Sequence, residues 1–161
     1  AARPFPGEAS APVTAPRHAI ITPIYVPDTS AFFRNALPII KMSLESLFLT
    51  TRGQARITVV CNATTPEVLA VLREYLDAGF IHQLVRNHQN RGKVDAVRAA
   101  AWAASEPLVT CTDSDVLFKP GWLQAVEDVF RRFPETGFVS PVPNPTLTYY
   151  CSSATIFGAL R

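Results

Sequence analysis

Two aspartates one residue apart, Asp113 and Asp115, close the apolar run "PLVTCT" and stand just before a second apolar stretch, "VLFKPGW". In extended chain, residues two apart point to the same side with Cα atoms roughly 6.6 Å apart. Two carboxylates that close repel by about 3 kcal/mol at an effective dielectric near 20. A hard divalent cation offsets that repulsion, since Mg²⁺ and Mn²⁺ prefer carboxylate oxygens and keep positions open for phosphate. An exposed acidic turn or a helix cap is the plain alternative for any Asp-x-Asp. The position at the end of an apolar strand favours the metal. A second group lies upstream in "NRGKVDAVRAA", residues 90–100. A turn glycine there opens a helix with Arg91 and Lys93 at its start, where free backbone N–H groups and the helix dipole favour an anion. A plain loop with solvated basic residues is the alternative. Taken together, a metal-binding acidic loop and an anion-binding loop point to a metal-bridged diphosphate. Neither GxGxxG nor GxxxxGK(S/T) occurs, which argues against a dinucleotide fold and a P-loop nucleotidase.

These residues need elements to position them. Residues 1–18, "AARPFPGEASAPVTAPRH", are rich in Ala and Pro and read as a linker or loose arm. "AIITPIYV" (19–26) is β-branched and suits a buried strand. "DTS" (28–30) supplies an N-cap for a helical stretch that Pro38 kinks or splits. "RITVVCN" is a second strand. In "ATTPE" (63–67), Thr64 and Glu67 have capping-box spacing, and Pro66 favours a first helical turn. The helix that follows carries Val68, Leu72 and Leu76 on one face and stops at Gly79. "FIHQLVR" is a third strand and "NHQNRG" a polar loop. An Ala-rich helix from Lys93 turns Val94, Val97 and Ala101 inward. "PLVTCT" is a fourth strand, and a helix from about Pro120 ends at Pro134. "GFVSPV" and "TLTYYCSSATIF" read as two more strands. Strands alternating with helices define an α/β domain with a mainly parallel sheet. Ligands of such sheets bind outside the carboxyl ends of the strands. Residues 25–28, 61–64, 87–93 and 113–115 therefore converge on one rim.

The chain has 161 residues, 48% hydrophobic and 17% charged, the size and composition of one globular domain. A net charge of +2 gives no nucleic-acid surface. No apolar run is long enough for a transmembrane segment, and the N-terminus lacks a secretory signal. Cys61, Cys111 and Cys151 are odd in number and widely spaced. They read as reduced, mostly buried thiols and imply a cytoplasmic setting. The first residue is Ala1, as in a chain processed or cut from something longer.

Four stretches, "ITPIYVPD", "ITVVCNATTPE", "NRGKVDAVRAA" and "LVTCTDSDVLFKPGWL", in this order and spacing, resemble the nucleotide-sugar half of family 2 glycosyltransferases over about residues 19–142. The resemblance implies a Rossmann-like GT-A fold that binds a nucleotide-diphospho-sugar, a mainly parallel sheet flanked by helices. It implies transfer of the sugar to an unknown acceptor, with Mn²⁺ or Mg²⁺ as cofactor and a UDP-sugar favoured as donor. Carried across residue by residue, Thr22, Pro23 and Tyr25 line the base pocket, and Asn90 and Lys93 lie near nucleotide and diphosphate. Asp113 helps hold the ribose or the metal, Asp115 coordinates the metal, and Ser114 between them joins the donor-binding set.

Two departures from the family pattern stand out. Cys61 and Asn62 occupy the place of two aspartates, one of which usually accepts a hydrogen bond from the uracil imide. Asn62 still offers its amide oxygen, while Cys61 is a poor acceptor. Val26 also stands where the first motif usually ends in asparagine. The second departure concerns the catalytic base. The family's base lies well downstream of the Asp-x-Asp, where this chain has only Glu127, Asp128 and Glu135, so no base is assigned. The expectation is a domain over 19–161 that lacks the acceptor-binding C-terminal part.

Other residues read more plainly. His18, His82 and His88 have no metal-ligand spacing and read as structural or solvated, with His88 placed to approach a phosphate. Trp102 and Trp122 read as core. Two rival functions remain: a non-catalytic nucleotide-sugar-binding module, and a phosphatase of the haloacid-dehalogenase type. The second normally carries its paired aspartates after the first strand.

Overall fold

The computed structural model describes residues 16–140. Those up to Leu123 form one compact unit and those from Gln124 onward a second. The first unit holds β1 (His18–Ile24), a 3₁₀ turn (Ala31–Phe33), α1 (Ala36–Thr51), β2 (Ala55–Asn62), α2 (Pro66–Asp77), β3 (Gln83–Asn87), α3 (Lys93–Trp102) and β4 (Leu108–Cys111). The second consists of most of α4 (Trp122–Arg132) and the residues after it. In α4, Asp128 accepts hydrogen bonds from Gln124 and Arg131 within the helix.

The four strands form one parallel sheet in the order β3-β2-β1-β4. Side chains alternate across a strand, and the two central strands bury both sets. Ile20 and Ile24 of β1 join Ile57, Val59 and Cys61 of β2 in a cluster with Leu44 and Leu47 of α1 and Val68 and Leu72 of α2. Ile21 and Val60 point the other way, onto Ala96, with Val97, Ala100 and Ala101 of α3 around them. This explains why both central strands read as near-continuous apolar runs. Each fully buried Leu or Ile contributes about 1.5–3 kcal/mol.

Several boundaries differ from the sequence expectation, each for a local reason. The stretch after Asp28 is broken ahead of Pro38 into the 3₁₀ turn and α1, with Asn35 as N-cap. Pro38 then falls in the first turn of α1, where its missing N–H has no helical acceptor to lose. Thr65, and not Thr64, caps α2: its hydroxyl accepts from the Val68 N–H at 3.5 Å, with Pro66 as the first helical residue. Thr64 instead donates to the Val26 carbonyl. β3 begins only at Gln83, and β1 already at His18.

The α3 face is set by Ala96, and Val94 is 75% exposed. Trp102 is also exposed, with Arg98 over its ring, while Trp122 packs on the core. β4 is the edge strand among the described residues, of alternating exposure, and Cys111 on it is exposed. Burial raises the pKa of the buried Cys61 thiol. Residues 137–140 form no strand. The second strand expected near the end, over 146–157, and Cys151 lie outside the described residues.

Candidate functional site

The sheet order fixes where a ligand fits. From β1 the chain adds β2 and β3 on one side, then crosses through α3 to place β4 on the other. The reversal lies between β1 and β4, and the crevice beyond their carboxyl ends is the binding position of open α/β sheets. A cavity of about 580 Å³ lies there, lined by Pro23 and Tyr25 after β1, Asn62 at the end of β2, Asn90 and Lys93 before α3, and Asp113, Ser114 and Asp115 after β4. Eight residues singled out in the sequence thus share one cavity. Thr22 is not on its wall. It is buried at 1% exposure, and its hydroxyl has no hydrogen-bond partner among the described residues.

The polar rim is built from two loops. Residues 90–92 are tied to the end of β2 by side-chain amides. Asn62 donates through Nδ2 to Asn90 Oδ1 at 2.8 Å, and its Oδ1 accepts from the Arg91 N–H at 3.0 Å and from Asn87 Nδ2 at 3.2 Å. Asn90 Oδ1 also accepts from the Gly92 N–H at 2.8 Å. Gly92 has φ +76°, a left-handed conformation that suits glycine, and it serves as N-cap of α3 with no side-chain cap bond. The first-turn amides of α3 therefore lack helical acceptors and face outward along the axis.

The aspartate loop is held at both ends. On one side Thr112 N–H bonds the Ile21 carbonyl at 3.0 Å. On the other, Phe118 N–H bonds Ser46 Oγ at 3.1 Å, and Trp122 Nε1 bonds Thr50 Oγ1 at 3.0 Å, both on α1. Beneath this, the buried His18 meets the Thr110 hydroxyl at 2.5 Å and Trp122 edge-on at 6.0 Å. His82 accepts the Ile57 N–H through Nδ1 at 3.1 Å. His88 is exposed and does not line the cavity.

Asp113 and Lys93 form an ion pair across the cavity, with side chains 52% and 63% exposed. Among the described residues no group of three His, Cys, Asp or Glu gathers as a metal cage. The donor set is instead two carboxylates on one wall. Mg²⁺ and Mn²⁺ sites that share a phosphate substrate are commonly of this kind, with one or two carboxylates and the remaining positions left to phosphate and water. The residues present fit such an ion, with Asp113 and Asp115 as its holders.

The wall that sequence reasoning missed is apolar. Val26, Phe32, Phe33, Ala36, Ile39 and Ile40 complete the cavity. Phe32 is 90% exposed and meets Phe33 edge-on at 5.1 Å. Asp28 holds the turn that presents them by accepting from the Ser30 hydroxyl and N–H, which keeps its carboxyl below the usual range. The signal was available in "AFF", two adjacent aromatics just after the Asp28 turn that follows β1.

An α/β fold with a parallel sheet and a crevice at its switch point defines a Rossmann-like class. The model for glycosyl transferase family 2 matches residues 31–147, and the chain belongs to that family. No curated protein matches. Among solved structures, mannosyltransferase PcManGT from Pyrobaculum calidifontis, in complex with GDP-Man and Mn²⁺, is similar with TM-score 0.66 and 24% identity, over 91% of this chain and 41% of that one. S. aureus TarS 1-349 in complex with UDP-GlcNAc gives TM-score 0.57 and 18% identity, over 78% of this chain and 37% of that one. The TarS 1-349 structure in complex with UDP gives 0.59 and 17%, over 78% and 38%. The fold is thus the GT-A fold, and the chain spans about two fifths of these neighbours' length.

Proposed function

We propose that this chain binds the nucleotide-diphospho-sugar donor of a glycosyl transfer in the crevice beyond β1 and β4. The convergence of Asp113, Asp115, Lys93 and Asn90 on one cavity carries the reading. Asp113 and Asp115 would hold a divalent cation, Mn²⁺ or Mg²⁺, and when bound the ion neutralises diphosphate charge and stabilises the leaving nucleoside diphosphate. Lys93 supplies the cationic partner for phosphate, and the first-turn amides of α3 supply uncharged donors. Pro23 and Tyr25 face the nucleoside, and Ser114 lies between the two carboxylates. The GDP-Man and UDP-GlcNAc complexes of the two neighbours support a nucleotide sugar as ligand class. A phosphatase of the haloacid-dehalogenase type is not favoured, because the aspartates follow the fourth strand and the family match covers them. We extend the reading to a domain over residues 19–161, whose acceptor is unassigned.

The test is calorimetry of UDP and GDP with Mn²⁺ or Mg²⁺, and with a chelator. Binding should tighten with the ion in the native chain and not in Asp115→Ala. Equal affinity with and without the ion in the native chain would remove the metal bridge.

A further inference from the structure

Of Cys61 and Asn62, which stand where the family pattern has two aspartates, Asn62 is the one whose amide could still accept from a nucleobase, and the surroundings of that side chain give it other work. Asn62 is 3% exposed, the most buried of the polar residues on the cavity wall. Its oxygen has two lone pairs, and both are used, by the Arg91 N–H and the Asn87 amide. Its nitrogen has two hydrogens, directed at Asn90 Oδ1 at 2.8 Å and, more weakly, the Gly92 carbonyl at 3.5 Å. The orientation of the amide follows from chemistry. A backbone N–H can only donate, so the atom of Asn62 facing Arg91 N is oxygen. Likewise the atom of Asn90 facing Gly92 N is oxygen, and Asn62 must present its nitrogen to it. Aspartate at this position would set one of its oxygens against Asn90 Oδ1, acceptor against acceptor.

We propose that Asn62 is a positioning residue that fixes the 90–93 loop for the diphosphate and does not read the nucleobase. The base is then held without selection by the apolar wall of Tyr25, Phe32 and Phe33, which can stack on any base. The only carboxylates lining the cavity among the described residues are Asp113 and Asp115, so no acidic group is left for an imide N–H. This rests on the nucleotide-sugar reading above and deepens it.

The test compares native chain, Asn62→Asp and Asn62→Ala, with Asn90→Ala as a second way to cut the same tie should the first two fail to fold. Amide hydrogen exchange of Arg91 is followed on the free protein. UDP, GDP and uridine are titrated in the presence of Mn²⁺. The native chain should bind UDP and GDP within a few-fold of each other. Asn62→Ala, which removes the acceptor of the Arg91 N–H, should speed Arg91 exchange. The variants should weaken both diphosphates by one common factor, about tenfold for one lost hydrogen bond. Uridine binding should stay unchanged. Selective loss of UDP over GDP, or loss of uridine, would make Asn62 a base reader and overturn the proposal, as would unchanged Arg91 exchange in Asn62→Ala. If no nucleoside diphosphate binds the native chain, the nucleotide reading fails and the base-selection claim with it. Arg91 exchange then still decides whether Asn62 holds the loop.

Discussion

Lys93 is the one cation on the cavity wall among the described residues, and in the free protein it is paired with Asp113. Both side chains are more than half exposed, and exposed pairs contribute about 0–1 kcal/mol. The pair is therefore cheap to break, and on the proposed reading a diphosphate arriving with its cation would free Asp113 for the metal and Lys93 for phosphate. Lys93→Ala should weaken nucleoside diphosphate by about 1.5–3 kcal/mol, the range of charge-assisted hydrogen bonds, and leave free nucleoside nearly unaffected. Equal losses for the two ligands in a calorimetric titration would move Lys93 out of the phosphate site. At this scale the sequence was informative where a residue's type restricts its chemistry. Asp113, Asp115 and Lys93 are charges at element ends, and charges need partners. Asn62 was harder, since an amide can donate, accept or do both, and its partners come from β3 and the 90–92 loop. Only the fold shows that both of its ends are taken.

Elements hold the site through contacts well away from it, and one of these gives a pH-dependent prediction. Glu106, just before β4, meets Arg56 on β2 in a two-pronged pair at 2.5 and 2.8 Å, with its side chain only 4% exposed. The hydrogen bond from the Arg56 guanidinium holds the Glu106 carboxyl below its usual range. A depressed folded-state pKa means the pair's stabilisation is fully present above the unfolded value, about 4.3. It is lost as pH falls through the lower folded value. Glu106→Gln should therefore destabilise the chain by about 1–3 kcal/mol at neutral pH, and the gap should close in denaturant melts below about pH 4. Nucleoside diphosphate affinity should hold, because the pair lies at the amino ends of the strands, opposite the cavity. A gap that persists unchanged at pH 3 would show that packing, and not charge, is what Glu106 contributes. The elements themselves were legible from periodicity: all four described strands and the helices between them fall close to the expected places. What periodicity missed depended on neighbours. Val94 and Trp102 look like core on a helix, yet α3 meets the sheet through Ala96, Val97, Ala100 and Ala101. β4 reads as buried from its composition, yet among the described residues it has a strand on one side only.

At the scale of the whole chain, the parallel sheet gathers on one cavity the residues that the proposed reading gives to the donor. Of the residues that line the cavity, only Asp113 and Asp115 are carboxylates, and the proposed reading commits both to a cation. Inverting transfer needs a base within hydrogen-bond reach of the acceptor hydroxyl, opposite the leaving group. General-base catalysis contributes about a hundred- to ten-thousand-fold, and placing the acceptor contributes more. This 161-residue chain should therefore bind a sugar nucleotide and transfer its sugar poorly. Slow, metal-dependent hydrolysis of the donor should remain, since phosphate contacts and the cation still stabilise the departing diphosphate. The measurement is release of nucleoside diphosphate from several sugar nucleotides with Mn²⁺, with and without a panel of sugar and polyol acceptors. Acceptors should leave the rate within a few-fold of that in water alone, and Asp115→Ala should abolish it. An acceptor that accelerates release by a thousandfold, with glycosylated product, would show that a carboxylate beyond the cavity wall serves as base. Glu127, Asp128 and Glu135 would then be the substitutions to make first.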